Sequence, residues 1–440
     1  MDTTALISFI GIILGVAVFI ALSFKGNNLA VSAAIGAVVI LIFGGVNIVT
    51  GLTEYWVTGL ASAVKSYFMI FTLGGIFGKI MDVTGGAKSI AYALLKIIDK
   101  ASPKFKPSCA VYFLVLMYFI CTYVGIHGFI VVFTVLPIGR ELFHDLNIPW
   151  RYYCYGSGGC IGAYYLLGSV SSVPSVAASM SGSHVGALPV LSILMTILYF
   201  ALDAVFINLD VAGHMKKGEG FFPGGDEIWK LQMESYKGQE GDVPKLYQAA
   251  IPMIIMIVIA ASGIPTMVAL TLGCVLGVVF MWSRLKGKLK TTINSGATSV
   301  FVALINVCGA AALGTVIKNM AGYTFISDQL NNADPLFAGV FLAMFGTLLL
   351  GSSSSSMPAF GEQVVGYFQS AGLSAAATFR LYTAVGNFMY PPHNTGVVNA
   401  SGTGKIPYKD AVIIYIKSTL FPNVFVIAIT LVLVAAGIFA

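Results

Sequence analysis

The feature that most constrains this chain is a succession of long apolar segments, each close to the roughly 20 residues that a helix needs to cross a bilayer. Only 10% of the 440 residues are charged, whereas soluble domains carry about 25% charged residues. The sequence therefore excludes disordered and fibrous chains and most soluble enzymes, and it predicts an all-α polytopic protein in the lipid bilayer. The ten long segments are 5–24, 29–49, 58–80, 150–180, 187–209, 246–262, 265–283, 293–318, 377–400 and 409–435.

Four further apolar segments are short for a full crossing, and they occur in pairs joined by a Gly- or Ser-rich tip. This pattern is typical of re-entrant hairpins, in which two half-helices begin and end at the same face of the membrane. The predicted hairpins cover about 109–143 and about 336–371. After each hairpin, a Gly- or Pro-interrupted segment, about 150–180 and about 377–400, is predicted to be a broken transmembrane helix.

The basic residues are sorted to one side of the membrane when each hairpin is counted as no net crossing. Nineteen of the 24 lysines and arginines then fall in loops on one side, and the opposite loops contain none. By the positive-inside rule the basic side is cytoplasmic. The sequence thus predicts a multi-pass protein of the cell (inner) membrane with both termini outside.

Cofactor and nucleic-acid sites are not indicated. The net charge of +6 is mild, and no basic run interleaved with aromatic residues suggests a nucleic-acid partner. The six cysteines lie in apolar stretches without CxxC spacing, so we expect buried thiols rather than disulfides or metal ligands. No ATPase motif or metal motif is present, and we expect no cofactor apart from H⁺ or Na⁺ as a coupling ion.

The two halves of the sequence resemble each other. A constant offset of 229 residues superposes the two hairpin tips and pairs Arg151 with Arg380. Each half makes an odd number of crossings, so the second repeat is expected to be inverted relative to the first. The predicted division is a first repeat over 1–209, a cytoplasmic linker over 210–245 and a second repeat over 246–440. Inverted repeats with paired broken helices are the sequence signature of secondary transporters.

The second repeat carries the richest candidate substrate site. Five hydroxyls in a row at membrane depth are costly unless they bind something, and Pro358 suits the first turn of the returning half-helix, whose positive end would face an anion. In the second broken helix, two prolines free backbone carbonyls beside three polar side chains. The candidates are Ser352, Ser353, Ser354, Ser355, Ser356, His393, Asn394 and Thr395.

The equivalent tip and break of the first repeat supply a second, smaller set of candidates. Glycines dominate the tip, and serines follow at the break. Helix packing is an equally good explanation for many glycines in this half, including the pair Gly158 and Gly162 in GxxxG spacing. The substrate-site candidates are Gly125, His127, Gly128, Ser169, Ser171 and Ser172.

Three titratable residues are candidates for ion coupling. His393 can titrate near neutral pH, while Glu362 and Asp203 lie within predicted membrane segments. Arg140, Arg151 and Arg380 lie where a hairpin meets the next helix, and we expect them to anchor at the membrane interface.

The broken-helix motif resembles a known family. The run Tyr390-Pro391-Pro392-His393-Asn394-Thr395-Gly396, followed by Tyr408-Lys409-Asp410, is similar to the pattern of the gluconate permease (gluconate:H⁺ symporter) branch of the ion transporter superfamily. The resemblance implies proton- or sodium-coupled symport of a small carboxylate by a homodimer with an elevator mechanism. The first half lacks that branch's Pro-Pro-His motif and reads Tyr164-Tyr165-Leu166-Leu167-Gly168-Ser169 instead, so gluconate is not assigned as the substrate.

Two alternatives to symport stay open at this level. A cation/proton antiporter of the same superfamily would use the titratable residues without an organic substrate. A membrane enzyme or receptor would need a clustered nucleophile and base, or a soluble signalling domain, and the 210–245 linker is too short for such a domain.

Overall fold

A computed structural model describes residues 3–25, 27–123, 128–169, 171–236, 243–261, 266–330, 333–388 and 394–439. Within these ranges the chain is helical and contains no strand, which confirms the all-α fold class. By length and composition alone, five of the described helices are able to cross a membrane, or up to six when the bent pair Ile48–Lys65 and Tyr67–Val83 is counted as one span. Several shorter apolar helices pack between them.

The first half of the chain and the connecting segment form eleven helices within the described residues. A π-helical turn, Gly51–Trp56, precedes α4, and a 3₁₀ segment, Trp150–Tyr155, precedes α8. The helices are α1 (Thr3–Phe24), α2 (Leu29–Phe43), α3 (Ile48–Thr50), α4 (Val57–Val83), α5 (Gly86–Ile98), α6 (Lys106–Tyr123), α7 (Gly128–Asp145), α8 (Gly156–Tyr165), α9 (Ser172–Ser181), α10 (Pro189–Lys217) and α11 (Asp226–Tyr236).

The second half repeats the same order of long helices, hairpin, broken helix and final helix. A π-helical turn, Ile416–Leu420, separates its last two helices. The helices are α12 (Leu246–Ala261), α13 (Thr266–Phe280), α14 (Trp282–Leu285), α15 (Leu289–Ser299), α16 (Phe301–Lys318), α17 (Ala321–Leu330), α18 (Pro335–Leu350), α19 (Ser353–Ser370), α20 (Ala375–Val385), α21 (Thr395–Gly404), α22 (Tyr408–Tyr415) and α23 (Phe421–Ala435).

The second hairpin turns earlier than the sequence suggested. Gly351 adopts a left-handed conformation with φ of 63° and ends α18, and the extended Ser352 then precedes α19. The helix therefore begins within the serine run, and the expectation that Pro358 would lie in its first turn is wrong. The physical reason is that glycine at a left-handed C-terminus and serine before a helix suffice for a short turn.

The two halves contact each other through corresponding helices. Helix α1 packs on α17 while α12 packs on α5, and α2 packs on α16 while α13 packs on α4. Near the hairpins, α21 packs on α7 while α9 packs on α19. Each broken helix is thus buried against the hairpin of the other half, and the buried apolar clusters in this region mix side chains from both halves.

Small residues allow these helices to approach closely. A Cβ added at Gly15 would come within 2.6 Å of the Gly36 carbonyl oxygen, and one added at Gly75 would come within 2.5 Å of the Gly296 carbonyl oxygen. In the GxxxG pair, Gly158 faces Asp203 and Gly162 faces Phe200. These glycines therefore serve packing within the chain. Five of the six cysteines are buried, as the sequence predicted, whereas Cys109 is half-buried.

Two of the three arginines expected at the membrane interface are buried instead, so that interpretation is wrong for them. Arg140 is 2% exposed and its Nη2 lies 2.7 Å from Asp82 Oδ1. Arg380 is 1% exposed and donates hydrogen bonds to the carbonyl oxygens of Tyr165, Val185 and Ala187. A guanidinium has five donors in a fixed fork, so backbone carbonyls around a broken helix can satisfy it at depth.

We expect Arg380→Met to lower the free energy of unfolding by about 3 kcal/mol, because hydrogen bonds from a charged group are among the strongest and the Ala187 carbonyl oxygen loses both of its Arg380 donors. The matched control is Arg151→Met at the equivalent repeat position, where the guanidinium pairs with a half-exposed Glu219 and the loss should be at most about 1 kcal/mol. Thermal unfolding followed with a thiol-reactive dye, which reports the buried cysteines, measures both. Equal melting shifts for the two variants would contradict the assignment.

Candidate functional site

A cavity of about 70 Å³ lies where the two hairpins and the two broken helices meet. No charged side chain lines it within the part of the chain that the structure describes. Its walls consist of hydroxyl, amide and aromatic side chains with a few aliphatic ones. The lining residues are Tyr118, Gly128, Val132, Ser157, Cys160, Ile161, Tyr164, Ser172, Val173, Ser352, Ser353, Asn387, Asn394, Thr395, Gly396, Asn399, Tyr415 and Thr419.

Three helices begin at this cavity. Ser172 of α9, Ser353 of α19 and Thr395 of α21 line it, and so does Gly128, the first described residue of α7. Each helix N-terminus carries about half a positive charge from its aligned peptide dipoles. The first turns of these helices therefore offer partial positive charge and free N–H groups to an anion in the cavity.

The second hairpin tip is bound to the second break by backbone and side-chain hydrogen bonds. The Thr395 N–H donates to the Gly351 carbonyl oxygen at 3.0 Å, so the start of α21 is tied to the end of α18. Ser353 Oγ donates to Asn387 Oδ1 at 3.2 Å. Thr347 Oγ1 donates to the Gly386 carbonyl oxygen at 3.2 Å. These contacts fix the serine tip relative to the end of α20.

The first half shows a corresponding connection between its tip and its break. Tyr123 Oη, at the end of α6, donates to the Leu167 carbonyl oxygen at 2.9 Å. Gly168 has φ of 74° and donates its N–H to the Val185 carbonyl oxygen at 3.0 Å. The unwound carbonyl and amide groups of the break are thereby satisfied by protein rather than by water, as membrane depth requires.

Helices α8 and α22 close the cavity with residues that the sequence did not single out. Ser157, Cys160 and Tyr164 line one wall, and Tyr415 with Thr419 lines another. Thr419 belongs to the π-helical turn Ile416–Leu420, and such turns occur often at functional sites.

Asn387 was also missed by the sequence analysis, although it lies three residues before the Tyr390-Pro391-Pro392 motif. Its side-chain Oδ1 accepts a hydrogen bond from Ser353 Oγ, and its backbone carbonyl oxygen accepts one from Asn423 Nδ2 at 2.8 Å. A polar residue at the end of a buried helix just before a proline break was the available signal.

The structure brings together six of the predicted substrate-site residues around the cavity: Gly128, Ser172, Ser352, Ser353, Asn394 and Thr395. Ser169, Ser171 and Ser356 are buried near it without lining it. Ser354 and Ser355 belong to the first turn of α19, and their side chains are not described. Gly125, His127 and His393 lie outside the described residues.

The ion-coupling candidates within the described ranges occupy different positions. Glu362 is exposed on α19 and does not line the cavity. Asp203 is 1% exposed and lies against Gly158, on the side of α8 away from the cavity.

Comparison with known proteins gives one related sequence. The chain is 22% identical over 435 residues to the uncharacterized transporter YxjC of Bacillus subtilis (strain 168), covering 88% of this chain and 90% of that protein. The crystal structure of the Alcanivorax borkumensis YdaH transporter matches with a TM-score of 0.39 and 12% identity, over 88% of this chain and 89% of that chain. No model of a known protein family matches the sequence. The apolar helices and the full-length similarity to a named transporter indicate a multi-pass membrane protein.

We expect Gly159→Ala to distort the cavity wall, because a Cβ there would lie 2.1 Å from the Val115 carbonyl oxygen of α6. Backbone cannot yield as a flexible side chain can, so the loss of stability should reach or exceed the roughly 1–3 kcal/mol typical of overpacking. Gly213→Ala in α10 is the control, since a Cβ there meets nothing within 4 Å and alanine favours a helix by up to about 1 kcal/mol. Thermal unfolding in detergent measures both, and a Gly159→Ala protein as stable as wild type would contradict the packing argument.

Proposed function

We propose that this protein is a secondary active transporter that couples H⁺ or Na⁺ to the symport of a small organic carboxylate, such as gluconate or a related hydroxy acid. The observation that carries the proposal is the convergence of three helix N-termini, those of α9, α19 and α21, on one cavity that no described charged side chain lines. The full-length similarity to a protein named as a transporter supports it.

The chemistry of the lining favours a carboxylate with hydroxyl groups. Helix N-termini stabilise the negative charge without a fixed cationic partner, so the anion is held by hydrogen bonds and can be released. Asn387, Asn394 and Asn399 offer amide donors and acceptors that match hydroxyl groups on the ligand.

The contact pattern supports an inverted repeat. If a two-fold axis in the membrane plane relates the halves, every contact from one half to the other has a counterpart with the roles exchanged. The pairs α1 with α17 and α12 with α5, and α21 with α7 and α9 with α19, have this property. We propose that the hairpins and broken helices form a transport domain that moves in an elevator mechanism against the remaining helices, within a homodimer.

Uptake into proteoliposomes tests the proposal. Labelled gluconate, lactate and citrate are offered to the purified protein under an inward pH gradient, an inward sodium gradient, or neither. We expect at least one carboxylate to accumulate under one of the gradients and to exchange without either. Protein-free liposomes are the control.

Two results of that assay would count against symport. If no carboxylate accumulates under either gradient, the proposal of symport is wrong. Sodium-driven proton flux without any carboxylate would favour the cation/proton antiporter instead.

Ser353→Ala tests the cavity directly, because it removes a hydroxyl that lines the cavity and leaves the rest of α19 in place. A lost hydrogen bond of about 0.5–1.5 kcal/mol should weaken carboxylate binding about threefold to tenfold. Ser370→Ala, at the exposed opposite end of the same helix, should leave transport unchanged. Concentration dependence of uptake measures both, and equal KM values would place the ligand elsewhere.

A further inference from the structure

Asp203 is a buried carboxyl group in the middle of α10 and is 1% exposed. Neither of its side-chain oxygens has a hydrogen-bond partner among the residues that the structure describes. Among the described residues it takes part in no ion pair, although Asp82 and Asp210 do. An ionised carboxylate in such a place costs several kcal/mol, and membrane carboxylates of this kind mark ion or proton sites.

Three tyrosine hydroxyls that interact electrostatically with Asp203 are each engaged in other hydrogen bonds. Tyr112 Oη accepts from Asn208 Nδ2 at 2.5 Å, on the α6 side. Tyr155 Oη donates to Asp210 Oδ2 at 2.9 Å. Tyr199 Oη donates to the Ser418 carbonyl oxygen at 2.5 Å. Helices α6, α8, α23 and the π-helical turn all pack on α10, and the lysine of that turn, Lys417, pairs with Asp210. The protonated, neutral form of Asp203 is the one that suits these surroundings.

Asp203 lies directly behind the cavity wall. A Cβ added at Gly158 would lie 2.8 Å from Asp203 Oδ2, so the carboxyl group occupies the space that the glycine leaves. The next residue toward the N-terminus, Ser157, lines the cavity. Its Oγ lies 3.3 Å from Ser418 Oγ. The backbone carbonyl oxygen of the same Ser418 accepts the hydrogen bond from Tyr199 Oη. A shift of α8 on ligand binding would therefore change the surroundings of the carboxyl group.

The same face of α10 leads from Asp203 to a polar vestibule. Two turns further along, about 10 Å away by helical rise, Asp210 lines a second cavity of about 290 Å³ with Arg151, His214, Glu219 and Lys417. This end of α10 is the one that the charge distribution predicts to be cytoplasmic. The Arg151 hydrogen bond lowers the pKa of the Glu219 carboxyl group, so that group stays ionised at neutral pH. The vestibule supplies the water and titratable groups that could receive a proton from Asp203.

We propose that Asp203 is the proton-binding group that couples carboxylate transport to the pH gradient; this inference rests on the proposed function. A proton from the outer solution forms an O–H bond at Asp203 in the loaded protein. After reorientation that bond breaks, the proton passes to water in the vestibule, and Asp203 is left ionised in the hydrated state. One proton accompanies one carboxylate, so transport of a monovalent anion moves no net charge.

Asp203→Asn, which keeps the shape and removes the titration, tests the assignment in proteoliposomes loaded with the carboxylate that wild type transports. Wild type should accumulate it about tenfold per unit of pH gradient, the limit for one proton per anion. The variant should retain exchange of labelled for unlabelled carboxylate and lose this accumulation. Asp99→Asn is the comparison variant, because this exposed carboxyl group pairs with Lys106 and lines neither cavity, and it should retain gradient-driven accumulation. Absence of exchange in wild type would be a failure of the proposed function rather than of the Asp203 assignment.

Infrared spectroscopy of the wild-type protein and of Asp203→Asn in lipid supplies a second measurement that needs no substrate. We expect the carbonyl stretch of a protonated carboxyl group at neutral pH, absent from Asp203→Asn if that variant folds. Absence of this band in wild type, or full pH-driven accumulation by Asp203→Asn, would each overturn the assignment.

Discussion

Satisfaction of unwound backbone at membrane depth is the constraint on which the rest of this structure depends. Each half of the chain breaks a helix in the middle, and bilayer lipid offers no hydrogen bonds to the exposed peptide groups. The first break is held by Tyr123 from its own hairpin and by Arg380 from the other half, and the second by the Gly351 carbonyl oxygen. The breaks, the hairpin tips and the cavity are therefore one arrangement, because none of them is stable at depth without the others.

Three buried titratable side chains, Arg140, Arg380 and Asp203, differ in which groups replace the water that burial removes. Arg140 pairs with Asp82, whereas Arg380 forms no ion pair with any described residue and donates to carbonyl oxygens instead. Within the same ranges Asp203 has neither kind of partner. The first two interactions hold elements together in one conformation. An unpartnered carboxyl group instead can change its protonation state when its exposure changes, and it is the only one of the three suited to carrying an ion through a cycle.

Much of the architecture was predictable because apolar length and charge sorting are one-dimensional properties. The all-α class and the helical segments on either side of the tips follow from where apolar runs begin and end. The start of α19 at Ser353 was not predicted. The expectation followed the preference of Pro358 for the first turn of a helix, whereas the left-handed Gly351 ends α18 and lets the next helix begin two residues later. The burial of Arg140 and Arg380 was not predicted, because their partners lie far away along the chain. Arg380 donates to backbone carbonyl oxygens of a distant segment, and Arg140 pairs with the carboxylate of Asp82 on α4.

The sequence by itself determined that the chain belongs in a bilayer, where its helices break, and that serines, asparagines and threonines gather at those breaks. These follow from local composition, and six of the predicted residues line one cavity. Only the tertiary structure decided that three helix N-termini meet there and that Asn387 and Ser157 join them. It also decided that Glu362 is exposed on α19 while Asp203 is buried against α8. The physical reason is that convergence of helix ends and the pairing of buried charges depend on how the two halves pack, which no single segment encodes.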